Sequence, residues 1–125
     1  MTKKSSKNLL DTVDTFIGET AVFEGSISTE KTISIEGVLK GDIVKAAGVL
    51  VGSKATVEGN INAEVVMIAG KIKGDITALE SIEILPKAVV TGDIKTNILT
   101  IEEGAYFEGN SSMATDIEEN GAKEQ

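Results

Sequence analysis

A three-residue signature, glycine then a small polar residue then isoleucine, recurs through the middle of this chain and leaves few folds open. It reads Gly25-Ser26-Ile27, Gly41-Asp42-Ile43, Gly59-Asn60-Ile61, Gly74-Asp75-Ile76 and Gly92-Asp93-Ile94, with Gly109-Asn110-Ser111 as a degenerate last copy. Successive glycines lie 16, 18, 15, 18 and 17 residues apart. Short and long spacings alternate, which creates a stronger double repeat of 33 residues. Residues 34–66 laid over 67–99 bring Gly37 onto Gly70, Leu39 onto Ile72, Ala55 onto Ala88 and Val57 onto Val90.

Within each copy, apolar and small residues alternate with polar ones. One register reads Ile33, Ile35, Gly37, Leu39, Gly41, Ile43, and polar Ser34, Glu36, Lys40 and Asp42 fall between them. Period two means strands with one face buried, and the helical spacing of i, i+3, i+4, i+7 is missing from these segments. Hairpins would not repeat one signature at near-constant distance. A solenoid does, because each coil stacks on the last and like residues form ladders. The expected fold is all-β: a right-handed parallel β-helix, three-faced, of about six coils, with short disordered tails. Coils about 4.8 Å apart would make a rod roughly 25–30 Å long. Aromatics are only 3% of the chain, so its core must be built from Ile, Val, Leu and Ala.

The repeated glycine marks coil corners, where a Cβ would crowd the interior and where Gly permits otherwise closed backbone shapes. Gly41, Gly59, Gly74 and Gly92 are such corners, and Asp42, Asp75 and Asp93 follow three of them. Their carboxylates read as turn chemistry, bonding nearby backbone groups. A calcium ladder would need paired glycines at nine-residue spacing, and that pattern is missing.

Three regions follow from the pattern: a basic, then amphipathic tail at 1–16, the β-helix at 17–111, and an acidic disordered tail at 112–125. The first tail carries Lys3, Lys4 and Lys7, followed by Leu9, Leu10, Val13, Phe16 and Ile17. One or two helical turns would place these apolar residues on one stripe. Two roles stay open for the segment: a cover over the first coil, or an anchor on an anionic membrane surface through its lysines. A β-helix has an open edge at each end. The few aromatics fall there, Phe23 in the first coil and Tyr106 and Phe107 in the last. Phe23 and Phe107 occupy the place where middle coils carry Val57 and Val90. Phe107, Tyr106, Phe23 and Ile17 are therefore the candidate end-to-end polymerisation contacts, with Phe23 and Phe107 also plugging the core.

Composition narrows the function. The chain has no Cys and no His, which removes thiolate chemistry, the commonest general base and the commonest metal ligand. A net charge of −8 with no Arg argues against nucleic acid, whose phosphates need cations. No apolar run approaches the roughly 20 residues that span a bilayer, and no secretory signal is evident, so the expected compartment is the cytoplasm. Acyltransferase β-helices keep strict six-residue periods and typically use His, and zinc carbonic anhydrases of related fold need His ligands. Pectin-lyase-like β-helices bind sugar in grooves made by long loops, whereas every corner here is short and no cleft is expected. Glu102-Glu103 and Glu118-Glu119 are adjacent in sequence and solvated, not an acid/base pair. Gly37-Val38-Leu39-Lys40-Gly41 lacks the spacing and ending of a phosphate loop. The chain is expected to be no enzyme and to use no cofactor, metal or nucleotide.

The Gly-Asp-Ile triplets at 41–43, 74–76 and 92–94, Ile35-Glu36-Gly37, and six coils between short tails resemble the bactofilins, bacterial cytoskeletal proteins with a β-helix core. The resemblance covers about residues 17–111. It implies head-to-head and tail-to-tail assembly into non-polar filaments without nucleotide, under the cytoplasmic membrane. Such filaments scaffold cell-wall enzymes or machinery for cell shape and appendages. It also implies membrane attachment through a short N-terminal segment, whose place is taken here by residues 1–10, and a C-terminal contact at Phe107. The alternative is a monomeric or dimeric β-helical adaptor for one protein partner.

Overall fold

The computed structural model describes residues 12–113. The chain winds through six coils of three short strands each. The first faces are Val13–Ile17, Thr32–Ile35, Gly48–Val51, the second half of Ile61–Ile68, the second half of Ile76–Ile84 and the second half of Ile94–Ile101. The second faces are Val22–Glu24, Val38–Lys40, Thr56–Glu58, Lys71–Lys73, Val89–Thr91 and Tyr106–Glu108. The third faces are Ile27–Ser28, Ile43–Lys45, the first halves of the three long strands, and Ser111–Ser112. All pairings are parallel, coil on coil. The second faces form a six-stranded sheet. The other two faces merge into a nine-stranded sheet, because three strands bend around their shared corner without a break.

Register aligns like with like. On the third face Ile27, Ile43, Ile61, Ile76 and Ile94 stack in one inward ladder that ends at Ser111. On the second face the ladder runs Phe23, Leu39, Val57, Ile72, Val90, Phe107. On the first face Ile17, Ile35, Val51, Ile68, Ile84 and Ile101 align. These ladders form one continuous core, in which Ile33, Ile35, Leu39, Ile43, Val49 and Val57 are wholly buried. A one-residue slip would turn every one of these side chains outward, so burial enforces the register. Outside the second face Glu24, Lys40, Glu58 and Lys73 alternate in sign from coil to coil, and opposite charges across strands favour the same alignment.

Most of the uneven repeat length comes from one corner, and the corner between third and first faces adds differences of one residue. Between first and second faces, coils one, three, five and six use four-residue turns: Gly18–Ala21, Gly52–Ala55, Leu85–Ala88 and Glu102–Ala105. Each is closed by its alanine N–H donating to the first residue's carbonyl at 3.0–3.1 Å. Coils two and four turn the same corner with two residues, Glu36-Gly37 and Ala69-Gly70. A short corner nests directly under a long one. A Cβ on Gly37 would sit 2.2 Å from the Gly18 carbonyl oxygen and 2.4 Å from that of Ala21.

The corner between second and third faces carries the signature itself. Gly41 and Gly59 adopt φ of +147° and +149°, a region closed to side chains. A Cβ on Gly59 would also fall 1.9 Å from the Gly41 carbonyl oxygen. The residue after the glycine makes a ladder of its own. Asp42 Oδ1 accepts from Asn60 N–H at 2.8 Å, Asn60 Oδ1 from Asp75 N–H at 3.0 Å, and Asp75 Oδ1 from Asp93 N–H at 3.0 Å. Asp93 Oδ1 accepts from Asn110 N–H at 3.2 Å. The small polar residue is required because each corner N–H has no strand partner and finds a side chain one coil away.

Two expectations need correction. Val13–Ile17 is a strand, not part of an amphipathic helical stripe. Val13, Thr15 and Ile17 satisfy period two as readily as Val13, Phe16 and Ile17 satisfy the helical period, and pairing with Thr32–Ile35 decides the matter. The expectation of no cleft also fails. A groove of about 470 Å³ lies along the corner between third and first faces, lined by Val44, Ala47, Asn62, Glu64 and Leu79 among others. It is concave because short side chains at Ala47, Asn62 and Ala63 sit between the longer Val44 and Leu79.

Candidate polymerisation interface

The two end coils have a neighbour on one side only, and their inward ladders stay partly uncovered. At the last coil Leu99, Ala105 and Phe107 pack against the core while remaining accessible, and Ile101 is 46% exposed. Ile98 and Tyr106 turn outward around this floor and are exposed. At the first coil Phe23 is 38% exposed at the head of its ladder, with Phe16 and Val22 exposed beside it. Among the described residues most of the exposed large apolar side chains belong to these two coils; the middle coils contribute Val44 and Leu79.

The residues singled out from sequence separate accordingly. Phe107 caps the ladder of Val57 and Val90, as the alignment of repeats predicts, and a minor part of it is left accessible. Phe23 holds the mirror position at the other end. Tyr106 points outward from the second face, in line with Val89, and its hydroxyl donates to Glu108 at 3.2 Å. Ile17 is only 6% exposed and belongs to the core, so it offers little surface to another subunit. Lys3, Lys4, Lys7, Leu9 and Leu10 lie outside the described residues, as does most of the acidic tail with Glu118-Glu119. Sequence reasoning missed Phe16, Val22, Ile98 and Ile101. Laying the end coils on the repeat would have placed Ile101 in the inward ladder, since it follows Ile84 by one coil.

The polar chemistry of the ends is simple. Glu102 turns towards Glu83 of the coil above, not towards its neighbour Glu103. The Glu83 carboxyl is raised above the usual carboxylate range, first by its hydrogen bond with Glu102, then by burial and by the charge of Glu102. At the opposite end Lys54 donates to Glu19 at 2.9 Å, spanning the short corner of the second coil. That bond, and the charge of Glu19, hold the Lys54 ammonium above its ordinary value. Among the described residues no group of three or more acids could hold a metal ion. No helix there is long and apolar enough to cross a membrane.

Comparison with known proteins agrees with this geometry. Residues 15–112 match the model of the bactofilins, described as polymer-forming cytoskeletal proteins. The chain is similar to a Thermus thermophilus bactofilin seen in double helical filaments by cryo-electron microscopy, at 30% identity and a TM-score of 0.74. That match covers 80% of this chain and 99% of the other. It is also similar to the cytoskeletal bactofilin BacA, whose atomic structure came from solid-state NMR, at 32% identity and a TM-score of 0.71. There 79% of this chain and 94% of the other are covered. No curated protein sequence matches the chain. A parallel β-helix of six coils, open and apolar at both ends and matched over nearly all its described length, belongs to the bactofilin family of polymer-forming cytoskeletal proteins.

Proposed function

We propose that this bactofilin polymerises through contacts between like ends, head to head and tail to tail, giving non-polar filaments that need no nucleotide. The filaments lie at the inner face of the cytoplasmic membrane and scaffold machinery for cell wall or cell shape. The carrying observation is the pair of uncovered ladder ends. A two-fold contact lets each end coil cover the core of its partner's end coil, and it brings Phe107 of one subunit to Phe107 of the next. An exposed apolar floor at the end of an otherwise polar rod is a surface that supports association. The N-terminal lysines and leucines support the membrane location, because a polybasic segment is drawn to anionic lipid.

Phe107→Arg tests the polymer. Covering what remains of one such ring contributes up to about 1 kcal/mol, roughly a third of full burial, and a symmetric seam uses two together with the exposed Ile98 and Ile101 beside them. The substitution loses this and sets two like charges against each other in a desolvated contact. Wild-type protein should form filaments in plain buffer with or without ATP or GTP. The variant should stop at dimers joined through their first coils, seen by light scattering, with an unchanged circular dichroism spectrum. Phe107→Leu, which keeps an apolar floor, should still polymerise. Normal filaments from folded Phe107→Arg protein would reduce this residue to a core plug, and strict dependence on a nucleotide would refute unaided assembly.

A further inference from the structure

The column of small polar residues behind the corner glycines ends at Asn110, and its hydrogen bonds have a direction. In every pair the side-chain oxygen belongs to the earlier coil and the N–H to the later one, from Asp42 with Asn60 to Asp93 with Asn110. Asn110 donates its N–H back to Asp93, and by the same pattern its Oδ1 serves the open tail end, where no later coil follows among the described residues. Two donors flank it. Gly92 and Ile94 donate forward, to the Glu108 oxygen at 2.9 Å and the Asn110 oxygen at 2.8 Å. Gly109 and Ser111 repeat those positions one coil on, so their N–H groups also face the end.

The fold alone does not choose Asn at this place. Asp42, Asp75 and Asp93 serve the same corner as Asn60 does. At Asn110 the side-chain oxygen has no N–H one coil on to satisfy among the described residues. What distinguishes the two residue types is charge, and the donor that a carboxamide adds to its acceptor. The rim of the last coil already carries Glu102, Glu103 and Glu108, on a chain of net charge −8. From Gly109 to Met113 that rim is uncharged, which makes this corner the part of the charged rim that two copies can bring together. Asn110 follows Phe107 by three residues, at most about 10 Å of chain, so one two-fold contact can cover both.

We propose that Asn110 lies in the tail-to-tail seam, its Oδ1 accepting from the Gly109 or Ser111 N–H of a second copy, and that the neutrality of this corner decides which ends can join. This inference rests on the end-to-end assembly proposed above and adds a test of its polarity. Head-to-tail stacking would continue the column, with Asn110 Oδ1 meeting the N–H of Ser26 in the next subunit, and an aspartate would serve there equally well. A tail-to-tail seam sets the two copies of this residue against each other, and two aspartates would repel.

Asn110→Asp is the test, because Asp already occupies this corner in other coils. Its circular dichroism should match wild type. In light scattering it should stop at dimers joined through their first coils, at concentrations up to about tenfold above those at which wild type forms filaments. Asn60→Asp, the same change in a middle coil, should polymerise as wild type does. The chain has no cysteine, so Asn110→Cys should close a disulfide between two tails under mild oxidation, and Asn60→Cys should not. Normal filaments from Asn110→Asp would overturn the proposal. If Phe107→Arg still stops at dimers, the tail-to-tail contact then stands without Asn110; if it too forms filaments, the end-to-end reading falls as well. An equal loss in Asn60→Asp would overturn the proposal by making net charge the cause, and an unfolded Asn110→Asp would do so by assigning the residue to the fold. Failure of Asn110→Cys to cross-link would place this corner outside the seam.

Discussion

Gly18 and Gly37 hold the same corner in successive coils, and they should respond in opposite ways to one added methyl group. Neither has a φ in the left-handed region, so Ala is compatible with both backbones. Among the described residues a Cβ on Gly18 meets nothing closer than the Phe16 ring at 3.6 Å, an ordinary contact, because its coil is the first of the described stack. Gly18→Ala should therefore be neutral or stabilise by about 0.4–1 kcal/mol, through a less free unfolded chain. A Cβ on Gly37 meets two backbone oxygens, at 2.2 Å from Gly18 and 2.4 Å from Ala21. Backbone cannot rotate aside, so relief requires the two coils to part by about 1 Å. The Ala21 oxygen accepts from Val38 N–H at 3.0 Å, and the Ile17 oxygen beside this corner accepts from Glu36 N–H at 2.7 Å. Losing both costs about 1 kcal/mol each, and residual strain adds about 1–3 kcal/mol. Gly37→Ala should thus destabilise by about 3–5 kcal/mol, a large part of the 5–15 kcal/mol typical of a whole domain. Urea titration followed by circular dichroism measures both variants. It should be run at several protein concentrations so that any contribution from assembly is visible. A Gly37→Ala variant within 1 kcal/mol of Gly18→Ala, on the order of one hydrogen bond, would refute the stacking of short corners under long ones.

Asp75→Ala should cost about 0.5–1.5 kcal/mol by removing the acceptor for Asp93 N–H, while Asp75→Asn, which keeps Oδ1, should be nearly silent in the same titration. Glu83 is raised in the folded state, so the fold binds its proton more tightly than the unfolded chain does. Its contribution is present below the unfolded value and is lost as pH rises through the folded one. Glu83→Gln keeps a donor for Glu102. Between about pH 4 and 7 its stability should therefore rise relative to wild type as pH increases, and parallel curves would contradict the pairing. Deleting residues 1–10 should leave filaments intact and reduce pelleting with anionic liposomes. Equal pelleting of both proteins would remove the tail from membrane binding.

Legibility differed between the core and the corners for a physical reason. Inward ladders demand the same kind of side chain every coil, so Ile43, Ile61, Ile76 and Ile94 announce themselves, and Phe107 could be placed over Val90 before any coordinates. Corners are read only one coil at a time. The four-residue turns share little beyond a closing alanine at Ala21, Ala55, Ala88 and Ala105, and their alternation with two-residue corners shows in sequence only as an unexplained 15–18 spacing. Asp42, Asp75 and Asp93 were legible as turn chemistry but not as a ladder, because their acceptor role crosses to the next coil and not to the next residue. The groove was illegible for a related reason. It arises from residues 44–47, 62–64 and 77–79, each unremarkable alone, which become a surface only when coils stack. Val44 and Leu79 sit where a one-coil reading expects a polar outward residue. Departure from alternation at a position that the ladder does not bury is the trace such a surface leaves in sequence.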